Sequence, residues 1–277
     1  AESVLNNIDH SKYNVFPVGI TKEGDWIYFA GKDYSMLPAK TWMSCPENRR
    51  AAISPLRGQG LLIFEGDCVM RERIDVVFPV LHGENGEDGA MQGLLQLAGI
   101  PYVGPHVSAS AVAMDKTLTK LVADREGIPQ AAWELVHRAD LDCHMDAVIE
   151  SLEARFAYPM FVKPAGTGSS VGVSKAVNRE ALVQGLRDAA AYDSKVLVEE
   201  FIKGKEIEIA VMGNSNPVAS VCGEIDSGAE FYDYDAKYIT DTSVAYIPAR
   251  IEGTVAEQVR DMAVRVYQAI GCQGLSR

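Results

Sequence analysis

At 277 residues, with 47% hydrophobic and 23% charged residues, the chain has the composition of an ordinary soluble globule, long enough for one large domain or about two smaller ones. A net charge of −12 argues against a nucleic-acid backbone or an anionic membrane as the main partner, while local basic pockets can still take phosphates. The five cysteines (Cys45, Cys68, Cys143, Cys222, Cys272) are odd in number and never spaced C-x-x-C, which indicates neither a disulfide framework nor a zinc site and fits a reducing cytoplasm.

In chain order, residues 14–20 and 25–29 are β-rich runs separated by Lys22-Glu23-Gly24, which predicts a strand pair with a turn. Residues 31–60 carry Pro38, Pro46 and Pro55 and read as irregular surface connection. The run DVVFPVL at 75–81 is continuously apolar and predicts a strand buried on both faces, with Pro79 marking its end or a bulge. The loop HGENGEDG at 82–89 follows directly, then a helix over 90–98 closed by Gly99. Ligands in open α/β sheets sit beyond the carboxyl ends of strands, so His82 is either a satisfied structural histidine or a substrate contact.

Met114-Asp115-Lys116 opens a predicted helix over 117–126, ended by Gly127 and Pro129. Lys116 falls in the first turn, where the helix dipole disfavours a cation; a phosphate partner would account for it. A second α/β unit follows, with a strand near 132–137, a helix near 142–156 and a helix near 179–190. Between those helices lies YPMFVKPAGTGSSVGVSK, residues 158–175. Met160 to Val162 fit a buried strand that Lys163 ends with a charge. The loop from Gly166 to Gly172 is small and hydroxyl-rich, so its backbone can aim successive amides at one anion. The lysine precedes the glycines and no G-K-[ST] follows, so this is not the Walker arrangement. Taken alone, the segment reads equally as a glycine hairpin with an exposed lysine.

Residues 195–202 (KVLVEEFI) predict a strand ending at the linker Lys203-Gly204-Lys205, after which 206–212 resumes as strand and pairs with 217–224. The polar, aromatic stretch 226–243, with Phe231, Tyr232, Tyr234 and Tyr238, has no clear period and predicts a mobile lid that orders over bound ligands. Thr254-Val255-Ala256-Glu257 reads as a capping box, with Val255, Val259, Met262, Val266 and Ile270 as the core stripe of the last helix.

Taken together, HGENGEDGAMQGLLQLAGIPYVG, AMDK, FVKPAGTGSSVGVSK, VLVEEFIKGKEIEIAV and FYDYDAKY resemble the D-alanine:D-alanine ligases, ATP-grasp enzymes of peptidoglycan synthesis. The segments stand in the family's order from about residue 75 onward, while residues 1–74 match only weakly. The resemblance implies an α/β ATP-grasp fold with an N-terminal Rossmann-like domain (1–104), a central ATP-grasp subdomain (105–199) and an incomplete C-terminal one (200–277). It implies that one D-alanine carboxylate attacks the γ-phosphate of ATP to give an acyl phosphate, which the amine of a second D-alanine then displaces. A protein doing this supplies positioning and charge stabilisation.

By motif, the resemblance makes Lys116 and Lys163 the phosphate lysines and Ser169-Ser170 the covering loop. Glu199, Glu200, Phe201 and Ile202 become the adenine strand and Glu206 the ribose acceptor. Lys237 and Tyr238 fall on the lid, His82 on the first substrate, and Arg277 at the tetrahedral intermediate, with Ser169 and Tyr238 beside the reacting groups. Tyr238 argues against D-lactate as the second substrate and leaves D-serine open; a non-catalytic ATP-grasp binding module is the rival of another class. The resemblance also implies magnesium, a cytoplasmic homodimer and no nucleic-acid or membrane partner. The family's first strand, with its substrate-binding glutamate, and the aspartate, glutamate and asparagine that hold magnesium beyond Arg277 have no counterpart here, so a fragment or an incomplete record is expected.

Overall fold

The computed structural model describes residues 1–226 and 243–277. These residues divide into two compact units: Ala1–Val80 with Gln92–Val103, and Leu81–Met91 with Gly104–Arg277.

The first unit begins with helix α1 (Glu2–Asn7). Five strands, β1 (Val18–Ile20), β2 (Trp26–Tyr28), β3 (Arg49–Ile53), β4 (Leu61–Glu65) and β5 (Cys68–Glu72), form an antiparallel sheet in sequence order. Ala51, Leu61 and Ile63 are its buried centre, with Phe16, Val18, Tyr28, Ile53 and Ile74 packed around them. The hairpin over Lys22-Glu23-Gly24 forms as the sequence predicts, with Val18 opposite Tyr28. The reading of 31–60 as irregular misses β3. Its segment RRAAI has no alternation of large apolar residues to announce it, and Ala51 is buried because β4 supplies the bulk opposite.

The buried strand predicted over 75–81 is not observed. The segment makes one parallel bridge, Val77 with Tyr102, closed by Val77 N–H to the Pro101 carbonyl (2.8 Å) and Val103 N–H to the Val77 carbonyl (2.9 Å). Val76, Phe78 and Val80 are exposed. With a neighbour on one side and a proline that has no N–H to give, the run has no second ladder to bury it. Helix α2 (Ala90–Ala98) is as predicted, and Gly99 ends it in the left-handed conformation at φ +72°.

In the second unit α3 (Val107–Met114) and α4 (Lys116–Arg125) meet at Asp115, whose carboxylate accepts from Thr117 N–H and Leu118 N–H and so caps α4. Next come β6 (Trp133–His137), α5 (Arg138–Arg155, kinked at His144), β7 (Met160–Pro164), β8 (Ser174–Ala176), α6 (Arg179–Tyr192) and β9 (Lys195–Glu200). The four strands form an antiparallel sheet in the order β6-β9-β7-β8. Because side chains alternate along a strand, Met160 and Val162 of β7 and Val196 and Val198 of β9 share one face. That face packs on α5 and α6 through Ile149, Leu152, Leu182 and Leu186, all essentially inaccessible. The other face carries Phe161, Lys163, Leu197 and Glu199.

The chain continues through β10 (Glu206–Glu208), β11 (Val211–Gly213), β12 (Val218–Ala219), β13 (Gly223–Asp226), β14 (Val244–Tyr246), α7 (Gly253–Ala269) and β15 (Gly274–Ser276). The predicted hairpin of 206–212 with 217–224 is split into two sheets, β10-β13-β14 and β12-β11-β15. Residues 209–210 face 220–222 between the two ladders, a one-residue excess that breaks the pairing as a bulge does. Helix α7 starts at Gly253 with its cap position at Glu252, two residues before the Thr254 cap of the predicted box, and Glu252 makes no side-chain cap bond. Val255 is exposed, and the buried anchor is Tyr267, whose hydroxyl donates to the Gly213 and Gly274 carbonyls. The expected lid at 226–243, with Lys237 and Tyr238, lies almost wholly outside the described residues.

Candidate nucleotide site

The site face of the second unit's sheet collects charge at its centre. Glu199 lies on β9 between β6 and β7, opposite Trp133 and Phe161, and its side chain is 9% exposed. Its two oxygens go to different lysines: Oε1 to Lys120 at 2.6 Å and Oε2 to Lys163. Burial pushes the Glu199 carboxyl up, but Lys163 and Lys120 together outweigh it and hold the group ionised below the usual range.

Lys116 lies beside this pair and makes a clamp. Its ammonium donates to the carbonyls of Pro164 (3.1 Å), Ala165 (3.3 Å) and Thr167 (2.5 Å), and its own N–H donates to the Ala165 carbonyl (3.0 Å). The phosphate contact expected from its place in the first turn of α4 therefore has a structural companion, since Lys116 ties α4 to the exit of β7. Burial, and then the charge of Lys163, push its pKa down to about 8. A cation held this way is short of negative charge, and a phosphate at this point would relieve it.

The glycine-rich loop after β7 is seated at both ends. Gly166 N–H donates to Asp193 Oδ2 at 2.7 Å. At the far end Gly172 has φ +71°, and a Cβ there would lie 2.7 Å from the Tyr192 ring and 2.8 Å from Pro164. Only glycine fits. Between these ends Ser169 (φ 53°) and Ser170 (φ 59°) both take the left-handed conformation, which costs about 1 kcal/mol or more per serine. Strain of this kind, held by a fixed frame, aims backbone amides in a way a relaxed loop would not. Thr167 adds an internal brace from its hydroxyl to the Val171 carbonyl (3.0 Å).

The loop of residues 82–89 reaches the same place. A Cβ on Gly168 would lie 3.7 Å from Gly83 Cα, so the two loops touch beside the exposed His82. Glu87 and Asp88 work locally, accepting from the N–H groups of Gly83, Asn85 and Ala90.

The remaining predicted residues are placed differently. Strand β9 ends at Glu200, two residues short of the expected 195–202, so Phe201 and Ile202 lie beyond the strand, and Ile202 is exposed. Glu200 points to the face opposite Glu199; its carboxylate accepts from Ala132 N–H (2.7 Å) and its own N–H donates to the Ala132 carbonyl (3.0 Å). The Phe201 ring lies 6.0 Å from Phe161, with the Lys175 ammonium 4.6 Å above it. Glu206 opens β10 on the surface. Arg277 follows β15, which pairs with β11; its side chain is 73% exposed, and its guanidinium pairs with Glu208 at 3.2 Å. The structure thus brings Lys116, Lys163, Glu199 and the Ser169-Ser170 loop together. Lys120 joins them without having been singled out; its signal was its position one helical turn after Lys116. Asp193 was also missed, because nothing local marks an acceptor 27 residues from its partner. Among the described residues no group of three or more His, Cys, Asp or Glu side chains is placed to hold a metal ion.

Residues 1–105 match the family described as D-ala D-ala ligase N-terminus, and residues 122–277 the one described as D-ala D-ala ligase C-terminus. The D-alanine–D-alanine ligase of Acetivibrio thermocellus is 46% identical over all of this chain and 77% of its own length. That of Caldicellulosiruptor bescii is 44% identical, again over the whole chain and over 75% of its own length. Among solved structures, the VanG D-Ala:D-Ser ligase from Enterococcus faecalis superimposes with a TM-score of 0.87 at 34% identity, covering 99% of this chain and 78% of that one. The D-alanine–D-alanine ligase from Coxiella burnetii gives 0.78 at 29% identity, covering 99% and 73%. With both family matches and full-chain relatives above 40% identity, the chain belongs to the D-alanine–D-alanine ligase family and has its ATP-grasp fold.

Proposed function

We propose that the protein joins two D-alanines to D-alanyl-D-alanine at the expense of ATP, for peptidoglycan synthesis. The observation that carries this reading is the excess of lysine charge around Glu199 beneath a strained, glycine-framed loop, in a chain of this family. Lys163 and Lys116 hold the phosphates of ATP, and the loop at Ser169-Ser170 covers them with backbone N–H groups. The backbone from Glu199 to Ile202 meets the adenine edge and Glu206 the ribose. His82 faces the first D-alanine, and Lys237 and Tyr238 close over the site. The carboxylate oxygen bonds to the γ-phosphorus as ADP leaves, and the same oxygen, a poor leaving group on its own, then departs as phosphate when the amine attacks. Arg277, freed from Glu208, is placed in this reading to steady the oxyanion that forms as the second amine attacks.

Residues 1–104, 105–199 and 200–277 are proposed as the substrate domain and the two ATP-grasp subdomains. A cytoplasmic homodimer and magnesium as the companion of ATP rest on the family resemblance alone; the described residues do not supply a magnesium site. Among those residues no helix is long and apolar enough to cross a membrane.

The test is ligation by the purified protein, with ADP release and dipeptide formation followed together in D-alanine and in D-alanine plus D-serine. D-Alanyl-D-alanine formed in step with ADP is the expected result. The likeness to the Enterococcus D-Ala:D-Ser ligase makes the mixed dipeptide the second reading, and a predominance of D-alanyl-D-serine would install it. Nucleotide binding with no dipeptide of either kind would leave a binding module instead.

A further inference from the structure

Lys116 and Lys120 stand one turn apart on α4 and so share a face, an arrangement that would be mildly repulsive if both were left to themselves. They are directed apart by their partners. Lys116 turns to the carbonyls after β7, whereas Lys120 reaches Glu199 Oε1 at 2.6 Å and is nearly enclosed, with its side chain 12% exposed. Its ammonium also lies 3.4 Å from Gln130 Oε1 and from the Ala131 carbonyl, so α4 and the approach to β6 hold it in place.

We infer that Lys120 is a positioning residue for the nucleotide: by occupying one oxygen of Glu199 it leaves the carboxylate a single oxygen for Lys163, and so sets where the Lys163 ammonium stands. This deepens the ATP reading given above and rests on it. A buried carboxylate that loses one of two cations is left under-compensated. If it then draws Lys163 in with both oxygens, the ammonium is withheld from a phosphate. Should it take up a proton instead, Lys163 loses its anchor beside the like charge of Lys116. Nucleotide affinity falls by either route, and in both the effect passes through Glu199.

The experiment is a double-mutant cycle read by calorimetric titration with a non-hydrolysable ATP analogue, using Lys120→Met, Glu199→Gln and the double variant. Lys120→Met is expected to weaken binding about tenfold in the parent and less than about twofold in the Glu199→Gln background, where there is no charge left to share. Equal losses in both backgrounds would mean that Lys120 acts directly or through general stability, and would overturn the inference, as would no loss in the parent. Lys120→Arg guards against a folding defect: it keeps the charge and the reach, and its affinity is expected within about threefold of the parent. A Lys120→Arg protein that folds but binds as poorly as Lys120→Met also counts against the idea. Lys163→Ala, run alongside, separates the two claims, since unchanged binding there removes the ATP reading itself.

Discussion

Glu199 on β9 and Glu224 on β13 are both buried glutamates held by two cations, yet the charge around them is arranged to different ends. Glu224 accepts from Lys205 and, through both oxygens, from Arg250, whose guanidinium also reaches Asp226 and lies 3.5 Å over the Tyr246 ring. Two anions meet two cations there, and the hydrogen bonds of Arg250 pull the Glu224 carboxyl down to about 2. That network is complete in itself and ties β13 and β14 together on either side of the undescribed segment. Around Glu199, Lys120 and Lys163 share one carboxylate while Lys116 stands beside them on backbone carbonyls; Asp193 and Asp115 add negative charge there without outweighing burial and the charge of Lys163, so the Lys116 pKa falls. A balanced cluster holds a fold. A cluster with cation to spare is built around something that arrives with negative charge.

The sharpest way to break this comparison is to remove the spare charge. Lys163→Ala is expected to weaken binding of an ATP analogue by roughly ten- to a hundredfold, the range for one charged hydrogen bond of about 1.5–3 kcal/mol. A fall of a few degrees in melting temperature should accompany it, because Glu199 keeps Lys120 but is left under-compensated in a buried place. Calorimetric titration and thermal unfolding measured on the same preparation decide it. An unchanged dissociation constant would return Lys163 to a structural role.

The converse experiment acts on the balanced cluster. Glu224→Gln is expected to lower the melting temperature by several degrees while leaving nucleotide affinity within about twofold, since the two networks share no partner. Because the folded pKa of Glu224 lies below the ordinary glutamate value of 4.5, its contribution to stability is complete above that pH and is lost as the pH falls toward 2. Acid unfolding of the variant should therefore be flatter across that window than that of the parent. An affinity loss as large as that of Lys163→Ala would erase the distinction drawn here.

A third measurement sharpens the electrostatic side without mutation. With a pKa of about 8 in the free protein, Lys116 is mostly uncharged by pH 9, and a bound phosphate should restore it toward the ordinary lysine value of 10.5. Binding should then take up about 0.7 of a proton at pH 8.5 and weaken by up to about tenfold per pH unit above 8. Calorimetry in buffers of differing ionisation enthalpy reads the uptake directly. Proton-neutral binding at pH 8.5 would show that the nucleotide does not reach Lys116.

Much of the site was legible because its parts are short and local. A strand exit, a lysine, a run of glycines and serines and a helix-opening Asp-Lys pair are each visible within a few residues, and the resemblance set them in one order. The misses are all matters of tertiary context. The 75–81 run is as apolar as a buried strand, but burial depends on neighbours the segment does not choose. In the 206–224 hairpin, a one-residue excess around Ser220 ends one ladder and starts another, a change of register that no propensity reports. Lys120 and Asp193 carry ordinary side chains whose importance comes from Glu199 and Gly166, distant in sequence and close in space.

Asp193 offers the smallest effect and the most discriminating one. Its Oδ2 accepts from Gly166 N–H at 2.7 Å and its Oδ1 from Lys195 N–H at 3.0 Å, while its neighbour Tyr192 walls Gly172, so the end of α6 frames the whole glycine-rich loop. Two opposed consequences follow from removing it. Loss of a negative charge near Lys116 favours an incoming phosphate, whereas loss of the acceptor frees the first amide of the loop and makes binding bear the ordering of that loop. Asp193→Asn removes the charge but keeps one oxygen for Gly166, and should bind the ATP analogue as tightly as the parent or slightly better. Asp193→Ala removes both and should bind about three- to tenfold more weakly, as expected for one lost hydrogen bond and a less ordered loop. If the alanine variant binds more tightly than the parent, charge outweighs anchoring, and the strained Ser169-Ser170 conformation does not depend on the end of α6.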